Sequence, residues 1–223
     1  MTSVHGPSPS APVFTNLKIQ DTHPPLVREQ TRKYSTRPYT PNLAAVPLHI
    51  LDRLLTAAGR GTRLIGIVES ARGLAAVEGI ARATLRLAGL MLGAADMAAD
   101  LGSEAAWVPL AHARSLLLLA CTLADVMPID SPFFDLRDAE GLASEATSAV
   151  AFGFHAKAAI HPHQVSRINA ALTPSQEAVE HARAVLAADT MGVGVVDGQM
   201  IDEATAHKVR RVLAAAGQYC IPQ

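Results

Sequence analysis

The stretch LIGIVESARG, residues 64–73, decides the fold. Its apolar run is typical of a buried strand and ends on one carboxylate, Glu69, after which residues 71–84 show the spacing of a helix. The stretch LAGLMLGAADMAADLG, residues 87–102, repeats this arrangement with an apolar run that ends on Asp96. Strands that alternate with helices along a chain predict parallel βαβ units.

Two more units follow along the chain. Residues 111–125 predict an apolar helix before a strand at 126–130, and residues 138–151 predict a helix before a strand at 156–160. The strands are apolar on both faces, as a parallel sheet covered by helices requires. An open doubly wound sheet and a TIM-type (β/α) barrel both fit, and both carry their chemistry at the carboxyl ends of the strands. The sequence contains no GxGxxG or GxxxxGK[ST] loop, which counts against nucleotide binding.

The two ends of the chain differ from its middle. Residues 1–42 are rich in Pro, Ser and Thr without a lasting apolar period, and they predict an irregular or poorly ordered segment. Residues 43–190 form the predicted partial barrel. Residues 191–223 form a C-terminal segment, in which a DG pair predicts a hairpin-like turn ahead of a helix at 203–216.

The composition argues against several classes of protein. The 223 residues are 49% hydrophobic and 17% charged with a net charge of −1, which gives no electrostatic basis for binding nucleic acid or an anionic membrane. No apolar run reaches the ~20 residues of a membrane helix, and no signal peptide is recognisable, so a cytoplasmic location is expected. Cys121 and Cys220 make no disulfide framework and no CxxC zinc pair, so we expect structural thiols.

Glu69 and Asp96 are the first candidates for a functional site. They lie 27 residues apart, one βα unit, so on neighbouring parallel strands their Cα atoms would be roughly 5 Å apart. Two carboxylates at that distance repel each other unless a proton or a cation lies between them, and Mg²⁺ accepts one or two protein carboxylates with water and substrate oxygens. The small residues of GAAD also let backbone N–H groups approach an anion. The alternative is that each carboxylate caps the helix that follows it.

Four segments together resemble a known family. In chain order they are LIGIVESARGLAAVEGIARA, LAGLMLGAADMAADLG, ARSLLLLACTLADVMPIDSPFFDLRD and GFHAKAAIHPHQVSRINAALTPS, and they are similar to the citrate lyase beta subunit-like family of the HpcH/HpaI aldolase superfamily. The resemblance implies a parallel TIM-type barrel. It also implies an Mg²⁺-dependent lyase that cleaves or forms a 3-hydroxyacyl-CoA of the citryl-CoA or malyl-CoA class, with an acyl-CoA and a 2-oxo acid as the partners. A homo-oligomer, a trimer or hexamer, is implied as well.

The resemblance also implies roles for the strand-end residues. Glu69 and Asp96 match the metal ligands and contribute to substrate binding, and the backbone around Ala95 and Asp96 matches the part that holds the oxo-acid carboxylate. When bound between such ligands, Mg²⁺ polarises the oxo-acid carbonyl as a Lewis acid. The family assignment and the reasoning from the two carboxylates therefore point to the same magnesium site.

Further residues have both a functional and a structural interpretation. By resemblance, Lys157 and His161 lie near the CoA part, and Asp202 belongs to a segment that can reach a neighbouring subunit's site for acid–base or hydrolytic chemistry. From the residues alone, Asp202 is a good N-cap for the last helix and His161 is a structural hydrogen-bonding group. Asp130 either lines the site or caps a turn, and Arg114 is expected to anchor structure.

The chain departs from the family in its first half. The family barrel has eight strands, and the four found here match strands five to eight. The 63 residues before Leu64 are too few for four βα units, which need roughly 100 or more, and the family's substrate-binding arginine is missing. We therefore expect a barrel incomplete at its N-terminus, with exposed edges beside residues 64–69 and 156–160. The alternative functions are a catalytically impaired remnant that acts as a binding or assembly subunit, and an acyl-CoA thioesterase.

Overall fold

The computed structural model describes residues 46–189, 195–196, 199–200 and 202–217, in which helices and strands alternate. The strands are β1 (Leu64–Val68), β2 (Leu87–Leu92), β3 (Met127–Asp130), β4 (Ala156–Lys157), β5 (Val195–Val196) and β6 (Gln199–Met200). The helices are α1 (Val46–Ala57), α2 (Ala71–Ala75), α3 (Val77–Ala81), α4 (Ala94–Leu101), α5 (Ala111–Ala124), α6 (Ala139–Phe152), α7 (Val165–Leu172), α8 (Gln176–Asp189) and α9 (Glu203–Ala215), with a 3₁₀ turn at Pro162–Gln164.

The first four strands form one parallel sheet in the order β1-β2-β3-β4. Each strand pairs with the next one along the chain, and helices connect them. This is the wall of a (β/α) barrel, whereas a doubly wound sheet would reverse its strand order at a switch point. The predicted α/β class and the parallel TIM-type arrangement are confirmed.

The main core lies between the sheet and the helices that pack on it. Leu90 and Leu92 of β2 are fully buried there, together with Leu117 and Cys121 of α5. The i, i+4 spacing of the last two residues gives α5 its apolar face. Burial raises the pKa of the Cys121 thiol to about 12, partly offset by a hydrogen bond with the Leu90 backbone, so this cysteine is structural, as predicted. Cys220 lies outside the described residues.

Two predicted elements have different lengths in the structure. The single helix predicted over residues 71–84 is divided into α2 and α3 at Ala76, whose φ of −106° and ψ of 10° are not helical. The division lets α2 contact α4 while α3 packs against α5. The last strand of the sheet ends at Lys157, earlier than predicted, because the chain then turns and the Ile160 N–H donates to the Gln164 side chain at 3.0 Å.

The two ends of the sheet differ in exposure. Ile65 and Ile67 of β1 are 42% and 52% exposed, in agreement with the exposed edge expected there. Among the described strands, β4 is the other edge of the sheet, as expected, although the side chains of residues 156–159 are buried and Ala159 packs with Ile168.

The C-terminal part of the described chain is a helix pair with its own apolar cluster. Helices α8 and α9 pack through Val179, Ala182, Val185, Val209 and Leu213. The antiparallel pair β5–β6 lies where the DG turn was predicted, and the turn itself, 197–198, is outside the described residues. The predicted boundary at residue 190 thus separates two helices that pack on each other.

The division of the chain into three segments stays a prediction, and the irregular segment predicted at residues 1–42 lies outside the part that the structure describes. Within that part, no helix has both the length and the apolar character that a membrane crossing requires.

Candidate metal site

Glu69 directly follows β1, on the same face of the strand as the exposed Ile67. The neighbouring strand β2 is followed by Gly93, whose N–H donates to the Val68 carbonyl at 3.0 Å. A Cβ on Gly93 would lie 2.6 Å from the Glu69 Cβ, closer than any real contact. Because the φ of Gly93 is an ordinary −88°, glycine is required here for space. The end of β2 can therefore approach Glu69 closely.

Asp96 reaches Glu69 from the first turn of α4, which begins directly after Gly93. The pKa of Glu69 is raised, first by partial burial of its carboxyl group and then by the negative charge of Asp96 and a hydrogen bond shared with it. Two carboxyl groups in such contact share a proton at low pH and repel each other once both are ionised. The structure thus brings the two predicted ligands together.

The helix caps are formed by other residues. Ser70 is the N-cap of α2, and its Oγ accepts a hydrogen bond from the Gly73 N–H at 3.1 Å. Gly93 is the N-cap of α4 and has no side chain with which to cap it. The alternative in which Glu69 and Asp96 cap their helices is therefore wrong, although an acidic residue in the first turn, such as Asp96, suits the helix dipole.

The N-terminus of α4 has donors to offer to an anion. The N–H groups of Ala94, Ala95 and Asp96 precede the first intrahelical hydrogen bond, which runs from Met97 N–H to the Gly93 carbonyl at 2.9 Å. In the described part of the chain, no acceptor binds these three groups. Their position beside two carboxylates is compatible with an anion only if a cation lies between them.

The donor set fits magnesium. Among the described residues, no group of three or more His, Cys, Asp or Glu side chains is placed to hold a metal, so Glu69 and Asp96 stand as a pair. Structural zinc requires four His or Cys ligands, whereas Mg²⁺ is held by one or two carboxylates and completes its octahedron with water and substrate oxygens. Glu69 and Asp96 are two solvent-exposed carboxylates, so they match what Mg²⁺ requires.

Asp130 and Lys157, predicted to bind substrate, are part of a buried ion network. Asp130 is 0% exposed, and its two oxygens accept from Arg114 Nε at 2.9 Å and from Lys157 Nζ at 2.8 Å. Lys157 is 2% exposed and also donates to the Ser131 carbonyl at 2.8 Å and to Glu145 Oε1 at 2.6 Å. All three donors of this ammonium group are used.

This network has a structural role. Asp130 neither lines an open site nor caps a turn, the two roles considered for it, because its carboxylate is enclosed by two cations. Arg114 anchors structure as predicted: it also stacks over the Trp107 ring at 4.2 Å and donates to Ser131 Oγ at 3.2 Å. Substrate binding by Asp130 and Lys157 stays a prediction without geometric support.

Glu145 of α6 completes the network, and sequence reasoning missed it. The signal that could have found this network is the 27-residue spacing of Asp130 and Lys157, which makes them partners on neighbouring strands. The helical position of Glu145 gave no comparable signal.

Of three other predicted site residues, His161 and Asp202 act as caps, and Ala95 has no side-chain donor or acceptor. His161 is exposed and caps the 3₁₀ turn through Nδ1, which accepts from the His163 N–H at 3.3 Å. Asp202 is the N-cap of α9, as the residues alone predicted, and its Oδ1 accepts from the Thr205 N–H at 2.8 Å, a bond that lowers the pKa of Asp202. Ala95 lies exposed in the first turn of α4. The substrate or catalytic roles of these three residues stay predictions.

Known proteins are similar to this chain in sequence and in fold. L-malyl-CoA/beta-methylmalyl-CoA lyase of Rhodobacter capsulatus is 33% identical over 203 residues, which cover 77% of this chain and 64% of that enzyme. The chain thus spans less than two thirds of the length of the curated relatives it matches. RipC of Yersinia pestis is 42% identical, with a TM-score of 0.59 over 74% of this chain and 89% of that one.

A metal-bound structure is also similar. CitE of Mycobacterium tuberculosis, solved in complex with magnesium, acetoacetate and coenzyme A, is 34% identical, with a TM-score of 0.63 over 74% of this chain and 64% of that one. Residues 114–221 match the family of C–C bond lyases of the TIM-barrel fold. Residues 28–162, more than half of the sequence and including Glu69 and Asp96, match the HpcH/HpaI aldolase/citrate lyase family. The chain therefore belongs to the HpcH/HpaI aldolase/citrate lyase family.

Proposed function

We propose that this chain is an Mg²⁺-dependent carbon–carbon lyase that cleaves or forms a 3-hydroxyacyl-CoA of the malyl-CoA or citryl-CoA class. The observation that carries the proposal is the contact between Glu69, which follows β1, and Asp96, in the first turn of the helix after the neighbouring strand β2. The Rhodobacter capsulatus relative is named as a lyase of L-malyl-CoA and beta-methylmalyl-CoA, which supports a thioester substrate of this class. The products would be an acyl-CoA and a 2-oxo acid.

In this proposal the residues of the chain have separate tasks. Glu69 and Asp96 hold Mg²⁺, and Gly93 leaves the space that lets their carboxylates converge. When bound, Mg²⁺ supplies Lewis-acid polarisation of the oxo-acid carbonyl. The N–H groups around Ala95 and Asp96, which precede the first helical hydrogen bond of α4, receive the oxo-acid carboxylate, since they are fixed donors at a helix N-terminus.

The proposal is tested by turnover of malyl-CoA and citryl-CoA with and without Mg²⁺. Glu69→Gln and Asp96→Asn each remove a ligand charge while keeping the shape of the side chain, so we expect Mg²⁺-dependent turnover to fall by at least a hundred-fold in both. A matched control is Glu78→Gln, because Glu78 is exposed and pairs with Arg82 on the surface of α3. Turnover that survives Glu69→Gln unchanged would contradict the proposal.

Two alternatives give different outcomes in the same experiment. A catalytically impaired remnant that serves as a binding or assembly subunit would bind Mg²⁺ and an oxo acid in stoichiometric amounts without turnover. A thioesterase would release free CoA with no cleaved carbon fragment, and Asp202→Ala would reduce that release.

We also propose that the chain forms a homo-oligomer, a trimer or hexamer, supported by the exposed Ile65 and Ile67 on β1. Sedimentation as a monomer would contradict this.

A further inference from the structure

Asp100 lies one helical turn after Asp96 on α4, and its carboxylate binds the turn that carries Glu69. Its Oδ2 accepts a hydrogen bond from the Ala71 N–H at 2.7 Å. Residues four apart lie on the same face of a helix, so Asp96 and Asp100 approach this turn side by side. One face of α4 therefore contacts both the side chain of Glu69 and the backbone two residues after it.

The hydrogen bond has a clear local reason. Ala71 is the first residue of α2, so its N–H has no acceptor within the helix. Ser70 Oγ already accepts from the Gly73 N–H, and Asp100 Oδ2 accepts from the Ala71 N–H. The side chain of Asp100, from the neighbouring βα unit, thus holds the short turn between β1 and α2.

We propose that Asp100 is a positioning residue for the metal pair: it holds the turn at 69–71 against α4 so that Glu69 faces Asp96. This inference rests on the proposed function, since it assumes that the pair binds Mg²⁺. Two carboxylates repel each other when ionised, and without a further contact this repulsion would push the turn away from α4 in the metal-free protein. The Asp100 bond opposes that movement, so the ligands stay close to the spacing that the metal requires.

The test compares two variants that lose the same charge. Asp100→Asn keeps an oxygen that can accept from the Ala71 N–H, whereas Asp100→Ala does not. Mn²⁺, followed by electron paramagnetic resonance of the free ion, serves as the probe and needs no substrate. We expect Asp100→Ala to bind Mn²⁺ about ten-fold more weakly than Asp100→Asn, as is typical when a group that orients a ligand is lost. Both variants lose the same negative charge, so the difference between their Mn²⁺ affinities reports the hydrogen bond alone.

A variant on the other side of the bond removes the donor. Ala71→Pro deletes the N–H at the first helical position, where proline fits, and the preceding Ser70 is extended at φ −144° and ψ 154°, as proline requires. It should weaken Mn²⁺ binding as much as Asp100→Ala does. The double variant should be no weaker than either single one, because both remove the same contact. This also tests the inference if Asp100→Ala fails to fold.

The outcomes separate this inference from the function on which it rests. Equal Mn²⁺ affinities for Asp100→Ala and Asp100→Asn, in a protein that binds Mn²⁺, overturn the positioning role alone; if both are weak, Asp100 acts through its charge or as a ligand. If the unaltered protein binds no Mn²⁺, the proposed metal site fails and the inference fails with it.

Discussion

Two pairs of charged residues occupy similar positions in neighbouring βα units, but one pair is exposed and the other is buried. Glu69 and Asp96 lie 27 residues apart, and so do Asp130 and Lys157; each pair joins neighbouring βα units near the carboxyl ends of the strands. The first pair is exposed to solvent and consists of two acids. The second is buried and consists of an acid and a base.

The sign of the partner explains the difference. A buried charge must be compensated within the protein, and Asp130 is compensated by Arg114 and Lys157, whose own excess charge is balanced by Glu145. Glu69 and Asp96 cannot neutralise each other, so they remain at the surface, and the pKa of Glu69 is raised by partial burial and then by the charge of Asp96. A carboxylate at a strand end is thus structural where the chain supplies its counter-charge, and a cation site where the counter-charge must come from outside.

The largest effect is expected from breaking the buried pair. Lys157→Met leaves Glu145 without its ion-pair partner and removes one of the two cations at the buried Asp130, so it should lower the free energy of unfolding by about 3–5 kcal/mol. Urea denaturation followed by circular dichroism measures this. The control is Arg137→Met, because Arg137 is exposed and only 3.8 Å from Asp135 in a surface pair, and it should change stability by no more than about 0.5 kcal/mol. Similar losses for both variants would contradict a structural network.

The next largest effect is expected at the exposed pair. Gly93→Ala places a Cβ against the Glu69 Cβ and backbone, which cannot move cheaply, so we expect a loss of about 1–3 kcal/mol together with weaker Mn²⁺ binding. The control is Gly79→Ala in α3, where nothing lies within 4 Å of an added Cβ, and it should stabilise the protein by about 0.5–1 kcal/mol. A Gly93→Ala protein with normal Mn²⁺ affinity would show that the pair does not depend on this close approach.

A smaller effect concerns pH. Because the folded-state pKa of Glu69 is raised, its contribution to stability is fully present below the unfolded-state pKa and is lost as pH rises through the folded-state value. In EDTA, Glu69→Gln should therefore raise the unfolding temperature at neutral pH. The gain in the free energy of unfolding should be less than about 1 kcal/mol, because the group is exposed.

Mg²⁺ should reverse this order by stabilising the unaltered protein and leaving Glu69→Gln unchanged, because binding needs ionised carboxylates. Thermal scans across pH with EDTA or Mg²⁺ provide the measurement. Equal stabilisation of both proteins by Mg²⁺ would contradict the role of Glu69 as a metal ligand.

The smallest effect is expected at Asp202, an exposed carboxylate that has a partner of its own. Its folded-state pKa is lowered by the hydrogen bond from the Thr205 N–H, so its contribution is present above the unfolded-state pKa and is lost as pH falls through the folded-state value. Asp202→Ala should loosen the start of α9, whereas Asp202→Asn should keep the cap and lose the pH dependence. Hydrogen exchange at the Thr205 amide measures this, and equal protection in all three proteins would contradict the cap.

Sequence reasoning was strongest where a local pattern is sufficient. The apolar runs predicted the four parallel strands, and Asp202 was found as an N-cap because capping depends on residues only three positions away. It was weaker at Ala76, where packing against two different helices divides a continuous helical pattern. It also missed Glu145 and Asp100, which act across helices on groups distant in the chain.

The sequence by itself determined the order of strands and helices, the family, and the two acids one βα unit apart, because periodicity and spacing are properties of the chain. Only the tertiary structure decided which strand-end charges are neutralised inside the protein. Asp130 and Glu69 look alike in sequence, yet one is enclosed by Arg114 and Lys157 and the other faces Asp96. The physical reason is that the energy of a charge depends on burial and on the sign of its spatial neighbours, which packing brings together.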